Sequence, residues 1–179
     1  VPFETVGNVL YQAPFRGAPH TVSVIIKAAL DSQSSMSVRR LAEHICRDLR
    51  SKDYLSEILA IYHFVLRNTR YMRDPRTKEL VKSPAFVAEQ IMSGVTPQLD
   101  CDDITALLSA LYLSVGCSTR IVTVAFRHLF HQGNRQYTHV LVQALEPKSN
   151  TWVTTDPVAS EKTPKMLRKV VAARVWPLS

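Results

Sequence analysis

The chain has 179 residues, 46% of them hydrophobic, three cysteines and a formal net charge of +7. Such a length and apolar content suit a single globular domain with a real core, and no apolar run approaches the roughly 18 residues of a membrane helix. Three cysteines argue against a disulfide framework and for a reducing compartment, while the positive balance favours anionic partner surfaces without setting the fold.

Residues Val1 to about His20, with Pro2, Pro14 and Pro19, read as an irregular arm with a short strand near Val6–Tyr11. Thr21–Leu30 fits a strand or a short helix, and its pattern does not decide between them. Its apolar part, Val22–Leu30, is short and lacks the basic flank and cleavage site of a signal peptide. Ser35–Ser37 offers an N-cap to a helix carrying Val38, Leu41, Ala42, Ile45 and Leu49 at helical spacing. A second helix starts near Asp53, with Leu55, Ile58, Leu59, Tyr62, Val65 and Leu66 on one face. Arg67, Arg70 and Arg73 load its end, and Asp74-Pro75 stops it. Residues 75–100 form a mostly irregular connection around a short helix, Pro84–Met92, with proline at its first position and Gly94 just past its end. A strongly apolar helix spans Asp102–Ser114 and ends at Gly116. Strands follow at Thr119–Phe126, Tyr137–Leu145 and Thr151–Asp156, and the basic tail holds a short helix at Thr163–Val170. Helices first and strands last indicate an α+β fold rather than alternating βαβ units. The expected division is an N-terminal arm, 1–35, and a domain over 36–179.

The chemistry concentrates in Asp100-Cys101-Asp102-Asp103, a cysteine among three carboxylates at a helix start. A helix N-terminus favours the thiolate, the nucleophilic form. Asp100 and Asp103 suit that terminus as caps, yet their charge opposes the thiolate, so a positive partner is required. His139 is the candidate. His128 and His131, beside Gly133 and Asn134, read as solvated loop residues. With a hairpin loop centred between Pro147 and Lys148, residue 143 faces 152 and His139 faces Asp156 on one side of an antiparallel pair. Asp156 then holds one imidazole nitrogen and leaves the other for Cys101, the role of the third group in a catalytic triad. Read one at a time, each residue also has an ordinary structural explanation: a buried thiol, a packed strand histidine and a strand-ending Asp-Pro turn.

The run Asp100-Cys101-Asp102-Asp103, then Thr138-His139-Val140, then Trp152-Val153-Thr154-Thr155-Asp156-Pro157 resembles the core of the transglutaminase-like cysteine enzymes. Ala60–Val65 and Thr69–Asp74 resemble the helix and tyrosine-containing turn that precede their cysteine motif, and the ending Thr163-Pro164 to Trp176-Pro177-Leu178 is similar to small bacterial and tailed-bacteriophage members. The resemblance covers about Val38 to Pro157 and implies a papain-like core in which the nucleophile's helix packs on a small antiparallel sheet. It implies Cys101 as nucleophile, His139 as general base and acid and Asp156 as orienting carboxylate. The Cys101 backbone N–H, with the Gln98 side chain, is a candidate oxyanion donor. Leu99 stands where a glycine is common and Leu141 where an aromatic is common, so the substrate channel departs from the family pattern.

The implied activity is acyl transfer through a thioester, resolved by water in a protease, peptidase or deamidase, or by an amine in a crosslinking transglutaminase; hydrolysis is the favoured outcome. A non-catalytic component, for instance of a virion, is the competing class. Nucleic-acid binding has charge in its favour (Arg39, Arg40, Arg47, Arg50) but no zinc-ligand spacing or RNA-binding motif. The expected partner is a protein or peptide substrate, with no cofactor, metal or membrane, in the cytoplasm or in a virion. The carboxylate set lacks the spacing and glycine of a calcium loop.

Overall fold

The helices gather around one central helix, and the sheet that follows them in the chain packs against its flank. The computed structural model describes residues 4–6, 10–14, 18–72, 78–126, 137–158 and 169–178. The stop at Asp74-Pro75, the loop with His128 and His131, and residues 163–168 of the expected tail helix lie outside them. No helix among the described residues is long and apolar enough to cross a membrane.

Strands β1 (Glu4–Val6) and β2 (Leu10–Pro14) form an antiparallel sheet with β4 (Lys78–Lys82) in the order β1-β2-β4, Tyr11 lying opposite Val81. The undecided segment is a helix, α1 (Ala18–Ser32), in which Val22, Ile25, Ala28 and Ala29 recur every three or four residues and are buried. Residues 1–35 were expected to form an arm, but they supply a core helix, packed on the central helix. That burial is tertiary, so composition near the N-terminus does not reveal it.

Helices α2 (Met36–Cys46) and α3 (Tyr54–Asn68) begin at the expected caps: Ser35 Oγ accepts from the Val38 N–H and the Asp53 carboxylate from the Ser56 N–H. The 75–100 connection is more ordered than expected. It contains β4 as well as α4 (Pro84–Met92) and β5 (Gln98–Leu99), and β5 pairs in parallel with β3 (Arg70–Tyr71). Both β3 and β5 are two residues long, too short for any alternation to register in sequence.

The central helix, α5 (Cys101–Ser114), is buried continuously from Asp103 to Tyr112 and touches α1, α2, α3 and α4. A helix apolar on all sides belongs in the middle of a fold. It ends at Gly116, whose φ of +83° suits glycine, with Gly116 N–H donating to Leu113 O and Cys117 N–H to Tyr112 O.

The sheet runs β8-β7-β6-β9, antiparallel throughout, with β6 (Thr119–Phe126), β7 (His139–Glu146), β8 (Thr151–Thr155) and β9 (Val170–Pro177). The first three were expected. β9 corrects the reading of the tail, since Val170 opens a strand rather than closing a helix. β9 lies along β6, with Trp176 opposite Ile121 and Arg174 opposite Thr123, a partnership some fifty residues long in sequence. On β7, Val140, Val142 and Ala144 pack with the helices. Leu141 joins Val122, Val124 and Phe126 in a separate cluster on the opposite face.

Candidate active site

The start of α5 is built by its carboxylates. Asp100 Oδ1 accepts from the N–H groups of Asp102 and Asp103 at 2.9 and 3.0 Å, and Asp103 Oδ2 reaches back to the Asp100 N–H, a reciprocal capping box. Asp103 is fully buried. Its Oδ1 accepts from the Lys82 N–H at 2.7 Å and its Oδ2 from Lys82 Nζ at 2.8 Å, which ties β4 to the helix start. Cys101 therefore occupies the first helical position on a terminus held from two sides.

The sulfur does not rest as a thiolate. Cys101 Sγ donates to Asp102 Oδ1 at 3.6 Å. Burial first, then the charges of Asp102 and Asp100, push its pKa well above the ordinary thiol range, against a smaller opposing effect of its own backbone N–H. Of the two capping carboxylates expected to oppose the thiolate, Asp100 does so, and the larger charge effect comes from Asp102, which does not cap the helix.

His139 opens β7 and is held by Asp156, which follows the end of β8. His139 Nε2 lies 2.9 Å from Asp156 Oδ1. That oxygen also accepts from the Val158 N–H at 2.9 Å, and the Asp156 carbonyl accepts from Tyr62 Oη at 3.1 Å, linking the strand end to α3. With Nε2–H donated to the carboxylate, Nδ1 is the nitrogen left to accept a proton. The expected register differs by two residues: Val142 lies opposite Thr155, which moves the hairpin's centre to a four-residue turn with Asn150 at φ 54°. A two-residue shift preserves facing, so Asp156 reaches His139 along a diagonal instead of directly across.

Cys101 and His139 both line a cavity of about 200 Å³ at the start of β7, together with Asp102, Thr123, Val140 and the α1 residues Thr21, Val22 and Ile25. They enter it differently. Cys101 packs with the cluster that contains Val140, whereas His139 pairs with Val124 and has its ring centroid 6.1 Å from that of Phe126, on the other face of β7. Gln98 is exposed on β5 and does not belong to the cavity lining. Sequence reasoning missed Lys82 and the α1 wall, because neither lies near the motif in the chain. Tyr62 and Asp102 stood within recognised stretches but had no assigned role.

A family model described as the transglutaminase-like superfamily matches residues 39–157, two-thirds of the chain and every residue of the Cys101, His139 and Asp156 set.

The chain belongs to the transglutaminase-like superfamily.

Its membership agrees with the architecture, a buried helix starting at a cysteine beside an antiparallel sheet that carries a histidine. A solved structure described as a "putative protease" from Parabacteroides distasonis matches with a TM-score of 0.55 at 15% identity, covering 89% of this chain and 29% of that one. The likeness is one of fold, and this transglutaminase-like chain spans under a third of that protein. No curated protein matches the chain.

Proposed function

We propose that the chain is a thiol acyl-transfer enzyme, hydrolytic in outcome, acting on a peptide or carboxamide carbonyl. The observation that carries this reading is the His139–Asp156 hydrogen bond beside a cavity that Cys101 also lines. In the first step the Cys101 sulfur bonds to the carbonyl carbon and its proton passes to His139 Nδ1. The backbone N–H of Cys101, at the helix terminus, faces the developing oxyanion. Collapse breaks the C–N bond, His139 returns the proton to the leaving amine, and a thioester remains. Water then adds to the thioester, giving up a proton to the imidazole, and the carbon–sulfur bond breaks to restore the thiol. Since burial and Asp102 keep the sulfur protonated at rest, His139 acts as a general base during attack rather than through a standing thiolate–imidazolium pair. The sulfur must turn from Asp102 toward the imidazole to begin. The protease description of the structural neighbour and the family's small microbial members support water over an amine as the resolving group.

The thiol's bond to Asp102 favours a second reading, in which the same fold serves as a non-catalytic scaffold with an inert cysteine. An activated ester separates the two. Incubation with p-nitrophenyl acetate under the enzyme reading gives a burst of p-nitrophenol and an acetyl group on the Cys101 peptide. Both are lost in Cys101→Ala, and the acylation rate drops by about 10²-fold or more in His139→Ala. Acylation no faster than that of an unfolded cysteine peptide, with no response to His139→Ala, establishes the scaffold.

A further inference from the structure

The carboxylate that holds His139 stands one residue beyond the end of its strand. The last ladder pair of the hairpin is Val142 with Thr155, and Thr155 Oγ1 also donates to the Val142 carbonyl at 3.1 Å, so β7 fixes residue 155. Asp156 comes next, and Pro157 after it has no N–H with which to extend the ladder. The hold on the Asp156 backbone comes from α3. Tyr62 packs against the core cluster that contains Ile58, Ile61 and Val65, and its Oη donates to the Asp156 carbonyl at 3.1 Å from 94 residues away in sequence. An aliphatic side chain would fill the same space; a phenol adds a hydroxyl that needs a partner there. Burial first, then the Asp156 charge, raise the pKa of that phenol against the opposing effect of the bond itself, so it stays a donor at neutral pH. On the other side of the Asp156 α-carbon, Oδ1 accepts from the Val158 N–H and faces His139 Nε2, both at 2.9 Å. With the carbonyl released, the peptide between Asp156 and Pro157 is free to rotate, and the carboxylate loses its aim.

We propose that Tyr62 is a positioning residue of the site: its hydroxyl aims the Asp156 carboxylate at His139 Nε2 and so selects the imidazole tautomer that leaves Nδ1 open toward Cys101. This positioning rests on the acyl-transfer reading for its effect on rate. The choice of tautomer belongs to the hydrogen bonds and is measurable without turnover.

Tyr62→Phe removes the hydroxyl alone. Two readouts follow it: the acetylation rate of Cys101 by p-nitrophenyl acetate, and the His139 ring-nitrogen chemical shifts of the neutral imidazole, which tell which nitrogen carries the proton. In the parent the proton is expected on Nε2. In Tyr62→Phe the rate is expected to fall about tenfold, the scale of one hydrogen bond, and the two nitrogen shifts to move toward each other as both tautomers become populated. Replacing Tyr62 by p-aminophenylalanine keeps an N–H donor in place and is expected to restore both readouts, which also serves if the phenylalanine variant does not fold. Tyr112→Phe is the control. Tyr112 is fully buried and its Oη donates to the Ile58 carbonyl at 3.4 Å, so its loss lowers the urea midpoint. Its rate is expected within about twofold of the parent, with the parent tautomer. A tautomer pattern in folded Tyr62→Phe identical to the parent's overturns the proposal whatever the rate, and so does an unchanged rate in an acylating protein. A parent ring protonated on Nδ1, an equal loss in Tyr112→Phe, or no rescue by a folded p-aminophenylalanine variant overturns it as well. If the parent is not acylated while the tautomer still responds to Tyr62→Phe, the enzyme reading fails and the positioning stands; acylation that ignores Tyr62 sinks Tyr62 alone.

Discussion

His139 Nε2 and Asp156 Oδ1 lie 2.9 Å apart although the hairpin ladder ends one residue before Asp156, at the Val142–Thr155 pair. The carboxylate reaches the ring diagonally, and its backbone carbonyl is anchored separately by Tyr62 Oη. Asp156 is therefore positioned by the end of β8 and by α3 together, not by the hairpin alone.

Asp156→Asn keeps the shape but replaces a charged acceptor with a neutral one, and it allows the ring to adopt the wrong tautomer. If His139 is the base, the acylation rate at Cys101 falls by about 10²-fold to 10⁴-fold while the denaturation midpoint moves little. Stopped-flow release of p-nitrophenol, paired with a urea titration, checks both halves. A rate within threefold of the parent (roughly, within assay scatter) removes Asp156 from the mechanism.

The Cys101 thiol sits above the ordinary thiol range because of burial and the Asp102 and Asp100 charges. Its iodoacetamide labelling should therefore be slower than that of a free cysteine peptide at neutral pH. It should keep climbing at alkaline pH where the peptide has levelled off. Asp102→Asn removes one of the opposing charges and shifts the profile downward in pH. The sign for stability follows: a native group that holds its proton longer than the unfolded one makes the fold weaken as pH rises past the ordinary thiol range. Cys46 and Cys117, pushed up to about 11 mainly by burial, add to the same alkaline loss. A profile with its midpoint below the peptide's would contradict this account.

Lys82→Met leaves the buried Asp103 carboxylate with the Lys82 backbone N–H and the cap contacts but without the ammonium. Removing one partner of a buried pair typically costs about 3–5 kcal/mol. Because the Lys82 side chain is 29% exposed, the expected loss is nearer about 2 kcal/mol. Urea denaturation measures it. The variant should also label faster at Cys101 than the parent, since the helix start that shelters the sulfur is loosened.

Gly116→Ala tests the end of the same helix. The added Cβ meets no atom within 4 Å, so only the backbone at φ +83° resists it. The expected cost is about 1 kcal/mol, seen as a lowered melting temperature with acylation rate unchanged. A neutral outcome would mean that the turn relaxes out of the left-handed region.

Much of the candidate site is legible in the chain because its parts are local. Asp100 and Asp103 flank the cysteine within one helical turn, so the helix start at Cys101 and its capping box follow from neighbours alone. The Pro84–Met92 helix and the Thr119–Phe126 strand match their expected bounds for the same reason, with proline at one helix start and β-branched residues along the strand. The histidine and aspartate also fall on one strand face, since alternation survives a pairing register that is off by two residues.

What the amino-acid sequence determined by itself, then, is where the helix that opens at Cys101 begins and which face of the hairpin carries His139 and Asp156. Caps, glycine conformation and two-residue alternation act over a few residues, and no distant partner is needed to decide them. Tertiary structure alone decided that α1 walls the cavity, that β9 completes the sheet, that Lys82 holds Asp103, and that the Cys101 proton rests on Asp102. Each of those depends on a partner brought close by packing, or on burial that turns a neighbouring carboxylate into a strong local field.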